Sequence, residues 1–307
     1  MHNTNIMLNS YNSNLLFSIF LYSELFLYTD ANGREFQERL KNYRPTWDLR
    51  GGAGESEQVA GNYYPITAAA FIKDKNMGVQ MSVLSDRSES MASLQNGQME
   101  FMVHRRLMKD DSRGVGEALN ETTGGIEPYP SWNRRGVGIT VSGKLYLLLS
   151  DLNDGMMETR TLMDQVFQNL KLFYSRTPLP LPQLLVAPPL GLELPVNCQL
   201  LTLETWATNV LLLRLAHQFA VGEDAKLSMP VEIDISVLLE KYNPSRLEEM
   251  SLSVNQLKST MEANRIQWPM AANAHSLVNE FIPSTTTGFT TTLNPMEVKT
   301  FLIYLKP

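Results

Sequence analysis

The stretch MVHRRLMKDDSRGVG (residues 102–116) carries Arg105, Arg106, Lys109 and Arg113 together with Asp110 and Asp111. Four cations in so short a run could grip a phosphate, and two carboxylates could work on a glycosidic bond. Glycoside hydrolysis needs its two carboxyl groups about 5 Å or about 6.5–9.5 Å apart on either side of one bond. Adjacent residues on an extended backbone point to opposite faces, so Asp110 and Asp111 make a poor acid–nucleophile pair. The residues read as a charged turn between strands: Arg105 and Arg106 continue a strand, and Asp110, Asp111 and Arg113 form a bonded cluster after it.

Other chemistries are thinly supplied. The histidines are His2, His104, His217 and His275, and none stands in an HExxH or other ligand spacing, so no metal site is expected in this chain. His217 follows the apolar run VLLLRLA and is expected to be a hydrogen-bonded structural imidazole. The lone Cys198 cannot form an internal disulfide and is expected to be buried or inert. No P-loop, GxSxG or GxGxxG occurs in its strand–turn–helix context. One sequon is usable, Asn120-Glu-Thr, and Asn120 is a candidate glycosylation site; Asn243-Pro-Ser is disqualified by its proline.

These groups have to be positioned by something. With 43% hydrophobic and 19% charged residues over 307 positions, the chain can build a large core. A net charge of −6 repels nucleic acid and anionic membrane, so neither is expected as a partner. The apolar run from Leu15 to Leu27 is broken by Ser18, Ser23 and Glu24, which makes it too short to span a membrane. Without a positively charged start it is no credible signal peptide either.

From residue 59 onward the pattern is strand-like. Val79, Met81 and Val83 alternate with Gln80 and Ser82, the period of a half-buried strand, and Met99, Phe101 and Val103 repeat it. GITVSGKLYLLLSD (138–151) predicts a hairpin turning at Ser142-Gly143. Leu162, Val166, Leu170 and Phe173 have helical spacing and predict a short helix or a long edge strand within 157–175. Six prolines, at 178, 180, 182, 188, 189 and 195, bar helix and central strand alike, so 178–195 reads as a connector. Strand patterns resume beyond it, and STTTGFTTT (284–292) reads as a loop. The whole predicts an all-β sandwich protein.

Several stretches resemble glycoside hydrolase family 38, the α-mannosidases of lysosomal type. They are YTDANGREFQERLKNYRPTW (28–47), VAGNYYPI (59–66), VLSDRS (83–88), MVHRRLMKDDSRGVGEAL (102–119), LLRLAHQFAVGED (212–224) and LNPMEVKTFLIYL (293–305). The resemblance runs from about residue 27 to 307. It implies an all-β, C-terminal portion: part of a large central sandwich of the mutarotase-like supersandwich kind (27–177), the connector, and a smaller C-terminal sandwich (196–307). Residues 1–26 stand outside it and are expected to be disordered. In the family a zinc-binding N-terminal barrel performs retaining hydrolysis of terminal α-mannose. None of its catalytic motifs is present here, so this chain is expected to bind no cofactor and to be inactive alone. The resemblance further implies the barrel and mannose-containing oligosaccharides as partners, a lysosomal or secretory location, and a substrate-edge loop at Asp86 and Arg87. The other function open to these residues is a freestanding sandwich that binds carbohydrate or protein.

Overall fold

The computed structural model describes residues 2–8, 13–18, 26–30, 32–44, 59–105, 107, 109, 110, 112, 114, 116, 118–123, 138–168, 174, 193–266 and 285–306, with the backbone alone for 2–8 and 13–18. The chain divides into two compact units, Met1–Leu170 and Lys171–Pro307.

Unit 1 comprises β1 (His2–Leu8), β2 (Ser13–Ser18), β3 (Phe26–Asp30), β4 (Phe36–Leu40), β5 (Tyr64–Ile66), β6 (Ala69–Asp74), β7 (Val79–Ser85), β8 (Glu89–Ala92), β9 (Gln98–His104), β10 (Val141–Asp151) and α1 (Gly155–Phe167). A six-stranded sheet runs β1-β10-β7-β6-β3-β4 and a four-stranded sheet runs β2-β9-β8-β5. Leu27, Ala70, Ile72, Met81, Val83 and Leu145 of the first meet Tyr64, Ile66, Met91, Met99 and Phe101 of the second in one buried core. Burying side chains of this size removes each from water at about 1.5–3 kcal/mol apiece, which holds the sheets face to face.

The helical spacing within 157–175 is realised as α1, with Leu162 and Val166 turned inward; Leu170 and Phe173 lie outside the described residues. α1 also corrects the reading of β7. Gln80 and Ser82 are buried as deeply as Met81 and Val83, because α1 covers the polar face of the strand. The Gln80 amide donates to Thr159 Oγ1 at 3.2 Å, and Ser82 Oγ lies 2.8 Å from the same oxygen. A Cβ on Gly155 would stand 2.7 Å from the Gln80 side chain, so glycine is what lets the helix come this close. The alternation reported two faces correctly; it could not report that both are covered.

β10 corrects a second expectation. Ser142-Gly143 is no turn: β10 is one continuous eleven-residue strand, paired to β7 from Leu145↔Ser85 to Asp151↔Val79. Residues 2–8 and 13–18 differ from the disorder expected of the first 26. β1 pairs with β10 from His2↔Leu147 to Leu8↔Val141, and β2 pairs with β9 from Ser13↔His104 to Ser18↔Gln98. Each occupies a sheet edge, where a row of N–H and C=O groups accepts an extended chain with little regard to its side chains.

Unit 2 comprises β11 (Cys198–Ala207), β12 (Val210–His217), β13 (Val231–Asp234), α2 (Ile235–Leu238), β14 (Pro244–Met250), α3 (Lys258–Ala263), β15 (Thr286–Thr287), β16 (Thr290–Leu293) and β17 (Val298–Leu305). One sheet is ordered β11-β12-β17-β14 and the other β13-β16-β15. Leu211, Leu213, Leu215, Phe301 and Ile303 face Ile233, Leu293 and the apolar side of α2 across a second core. The threonine-rich run expected to be a loop instead makes a tight hairpin, turned at Gly288 with φ +61°. β-branched threonine suits a strand, and Thr291 is fully buried there. Of the six connector prolines only Pro195 lies within the described residues; its carbonyl accepts from the Cys198 amide at 2.8 Å.

Candidate functional site

The end of β7, the start of β8 and the start of β10 bring together the substrate-edge candidates. Asp86 Oδ1 accepts from Arg87 Nε at 2.9 Å, and Asp86 Oδ2 accepts from the Lys144 amide at 3.0 Å. The Arg87 guanidinium also donates to the Ser142 carbonyl. A Cβ on Gly143 would stand 2.9 Å from Arg87 Nη2, so the glycine mistaken for a turn residue is the one that makes room for this side chain. Arg87 and Asp86 remain 39% and 29% exposed. The neighbouring guanidinium holds the Asp86 carboxyl below the usual carboxylate range.

Beside this pair lies a cavity of about 30 Å³, lined by Arg87, Glu89, Val103, His104, Val141, Gly143, Lys144 and Leu145. Small-molecule sites run to several hundred Å³, so no whole sugar ring fits inside. One water needs about 10–15 Å³ on this measure, so the space suits roughly two. Glu89 Oε2 is buried here without a hydrogen-bond partner, the one such carboxylate oxygen among the described residues. Burial pushes the Glu89 carboxyl up from its ordinary value; the Ser85 hydroxyl and the Arg87 charge oppose that rise and Asp86 adds to it. Glu89 drew no attention in the sequence. Its one signal was the two-residue offset from Met91, which puts it on the inward side of β8.

The charged stretch is less of a cluster than its composition promised. β9 ends at His104, and Arg105 is exposed outside the strand, so the strand does not continue through it. Asp110 Oδ2 accepts from the Ser112 amide at 3.0 Å, a local turn contact. Arg106, Asp111 and Arg113 lie outside the described residues. Asn120 is 7% exposed. An oligosaccharide needs the amide nitrogen in solvent, so a glycan on Asn120 requires the 118–123 segment to open.

Unit 2 holds a second charged centre. The Lys299 side chain is 0% exposed, with Nζ 3.1 Å from Thr291 Oγ1, 3.2 Å from Thr286 Oγ1 and 3.8 Å from Glu249 Oε2. Glu249 in turn accepts from Lys258 Nζ and from Thr286 Oγ1, both at 2.6 Å. Burial lowers the Lys299 pKa, against the pull of Glu249 and Glu297. His217 is fully buried, with Nδ1 3.2 Å from the Phe219 amide and Nε2 3.0 Å from the Met229 carbonyl, the structural imidazole expected. Burial pushes the Cys198 thiol up to about 12, which suppresses thiolate chemistry. Among the described residues no three His, Cys, Asp or Glu side chains gather as metal ligands. Nor does any described helix have the length and apolarity to cross a membrane.

Two family models match the chain: the glycosyl hydrolases family 38 C-terminal domain over residues 19–113 and the family 38 C-terminal beta sandwich domain over 197–301. The chain belongs to glycoside hydrolase family 38, as a C-terminal segment. Lysosomal alpha-mannosidase of Felis catus is 40% identical over 292 residues, covering 93% of this chain and 27% of its own length. The Bos taurus and Homo sapiens proteins of that name are 41% and 37% identical, each over 90% of this chain and 26% of their own. The family 38 segment thus spans about a quarter of the length of the curated relatives it matches. The first family match includes β3 to β9 and the loop at 86–88, and it begins at residue 19, inside the 1–26 stretch that the resemblance leaves out.

Proposed function

We propose that this chain is the β-rich, non-catalytic portion of an α-mannosidase of lysosomal type, working with a catalytic portion that corresponds to the remainder of its relatives. The observation that carries this is the 37–41% identity to lysosomal alpha-mannosidases over about 90% of the chain, set against about 26% of theirs. Retaining mannoside hydrolysis needs a nucleophilic carboxylate, a second carboxyl for acid and base work, and in this family a zinc ion. The catalytic portion would supply these. Unit 1 would border the sugar through Asp86 and Arg87, whose anchored and half-exposed guanidinium supports that role. The protein would then act on terminal α-mannose of glycoprotein oligosaccharides, on the lysosomal or secretory route.

The test is an aryl α-mannoside assay with added zinc. The 307-residue chain alone is expected to give no turnover above a heat-denatured control. Co-expression with the remaining part of a lysosomal relative should restore it. Chelator-sensitive turnover by the chain alone would refute the non-catalytic reading, and a catalytic part whose activity ignores this chain would refute the partnership.

A further inference from the structure

β4 and β5 are edge strands, one in each sheet of unit 1, and side chains from both meet at Tyr64. Arg39 on β4 stands opposite the core residue Leu27 of β3, so it leaves its strand on the core face. Its guanidinium carbon lies 4.8 Å from the centre of the Tyr64 ring, and that of Arg44 lies 4.3 Å from it. Lys41 joins them from just past β4. It lines a recess of about 10 Å³ together with Leu27, Arg39, Asn62, Tyr64 and Ser93, and its ammonium donates to the Leu94 carbonyl at 2.6 Å. Three half-buried cations thus gather around one ring. Among the described residues none of the three forms an ion pair. The carboxylates of Glu38 and Glu100 accept from the Tyr28 and Tyr63 hydroxyls, at 2.8 and 2.6 Å. Like charges gathered this way repel, and no carboxylate among the described residues offsets them.

Not all of their donors are used. Arg39 Nε donates to Thr29 Oγ1 at 3.2 Å. Among the described residues neither terminal nitrogen of Arg39 has an acceptor, and neither is a buried atom lacking a partner, so solvent touches both. The Lys41 ammonium carries three hydrogens and has one acceptor. Arg44 is more fully engaged, by the Tyr43 and Gly61 carbonyls and the Tyr64 hydroxyl. We propose that Arg39 and Lys41 bind a phosphate-type oxyanion, with the Arg44 charge beside it. A guanidinium fork matches the oxygens of such a group. Its charge of about −1.5 to −2 near neutral pH offsets three cations better than a carboxylate does. The recess has room for about one water-sized atom, so one oxygen at most enters it and the phosphorus stays outside. This site stands independently of the mannosidase reading. The competing role is edge protection: charges pointing inward from an edge strand deter strand pairing and need no ligand.

The experiment uses the full chain with nitrogen-15 in its arginine side chains. The Arg39 signal is assigned as the one absent from Arg39→Lys. Inorganic phosphate is titrated at neutral pH, with sodium chloride holding the ionic strength constant, beside acetate and a hexose phosphate. The expected result is a saturable shift of the Arg39 signal with phosphate and a response to acetate at least about tenfold weaker. Lys41→Gln should weaken phosphate about tenfold or more, as for loss of a hydrogen bond to a charged group, and Lys41→Arg, which keeps the charge, should keep the binding. A shift that does not saturate, or that acetate matches, means ionic screening only and overturns the proposal. A folded Lys41→Gln chain that binds as well as the parent overturns it too. If Lys41→Gln does not fold, the parent titration decides alone. A hexose phosphate that binds more tightly than inorganic phosphate assigns the group to a sugar, and equal or weaker binding assigns it to free phosphate; the oxyanion site stands in either case. Mannoside turnover does not enter this readout. Recovered activity without an Arg39 response sinks only the anion site, and an Arg39 response without recovered activity sinks only the partnership.

Discussion

Lys299 in unit 2 and Glu89 in unit 1 are both charged groups drawn out of water, yet their surroundings differ. Lys299 Nζ is ringed by Thr286, Thr291 and Glu249, and Glu249 is itself held by Lys258 and Thr286. Glu89 Oε2 is buried with no hydrogen-bond partner. A closed network of this kind fixes strands relative to one another. An open one leaves a buried acceptor whose lost hydration nothing in the protein offsets. Asp30 shows that unit 1 can close a network when structure alone requires it: its carboxylate accepts from the Thr67, Ala68 and Ala69 amides at 3.0, 2.9 and 3.1 Å.

If that contrast is right, the closed networks should be the expensive ones to break. Asp30 is 0% exposed, and Asp30→Ala would strand three backbone N–H groups at about 1–3 kcal/mol each. A loss of at least about 3 kcal/mol is expected in urea unfolding of unit 1, because loop relaxation rescues part of the sum. A loss below about 1 kcal/mol would mean that water already reaches these amides.

Glu249→Ala comes next. It leaves Lys299 as a buried cation with the Thr286 and Thr291 hydroxyls, the Thr285 carbonyl and the charge of Glu297 but no carboxylate in direct contact, an expected loss of about 3 kcal/mol in unit 2. Adding Lys299→Met should restore most of that, since an apolar side chain of similar length removes the stranded charge. Strict additivity of the two substitutions would show that the pair is not coupled, and the closed network would be an overreading.

Gly143→Ala probes the boundary between the two kinds of site. The new methyl would meet Arg87 Nη2 at 2.9 Å, but a half-exposed arginine can swing away. The expected net loss is under about 1 kcal/mol, with the entropic gain of replacing glycine offsetting part of it. The Arg87 contact to the Ser142 carbonyl should go, visible as loss of its guanidinium proton resonance. An unchanged Arg87 resonance would show that the strand spacing tolerates the methyl and that glycine is not required.

Much of this was visible in the sequence and some could not have been. β7 and β9 were legible because Met81, Val83, Met99 and Phe101 keep period two. That Gln80 and Ser82 would be buried was not, since α1 arrives from more than seventy residues downstream and no local pattern announces its cover. Gly143 looked like a turn because glycine serves both turns and close approaches, and only Arg87 across the sheet distinguishes them. The charged run at 102–116 drew attention by composition, whereas the groups with the most unusual surroundings, Asp30, Glu89 and Lys299, are single charges inside ordinary strand text. Long-range contact gives them their character.

The smallest expected effect is the most informative about Glu89. Its carboxyl is raised above its ordinary 4.5 chiefly by burial, with Asp86 adding, and with Ser85 and Arg87 pulling it down. Lys144 and His104 face the same recess from β10 and β9. A carboxyl that holds its proton more tightly when folded contributes stability that is whole below its unfolded value and is lost as pH climbs through the raised folded value. Glu89→Gln carries no such proton. Its advantage over the parent should therefore grow from acid toward neutral pH and then level off, read as the difference between the two melting temperatures across that range. Parallel curves would mean that Glu89 titrates as it does in the unfolded chain and that Oε2 is wet.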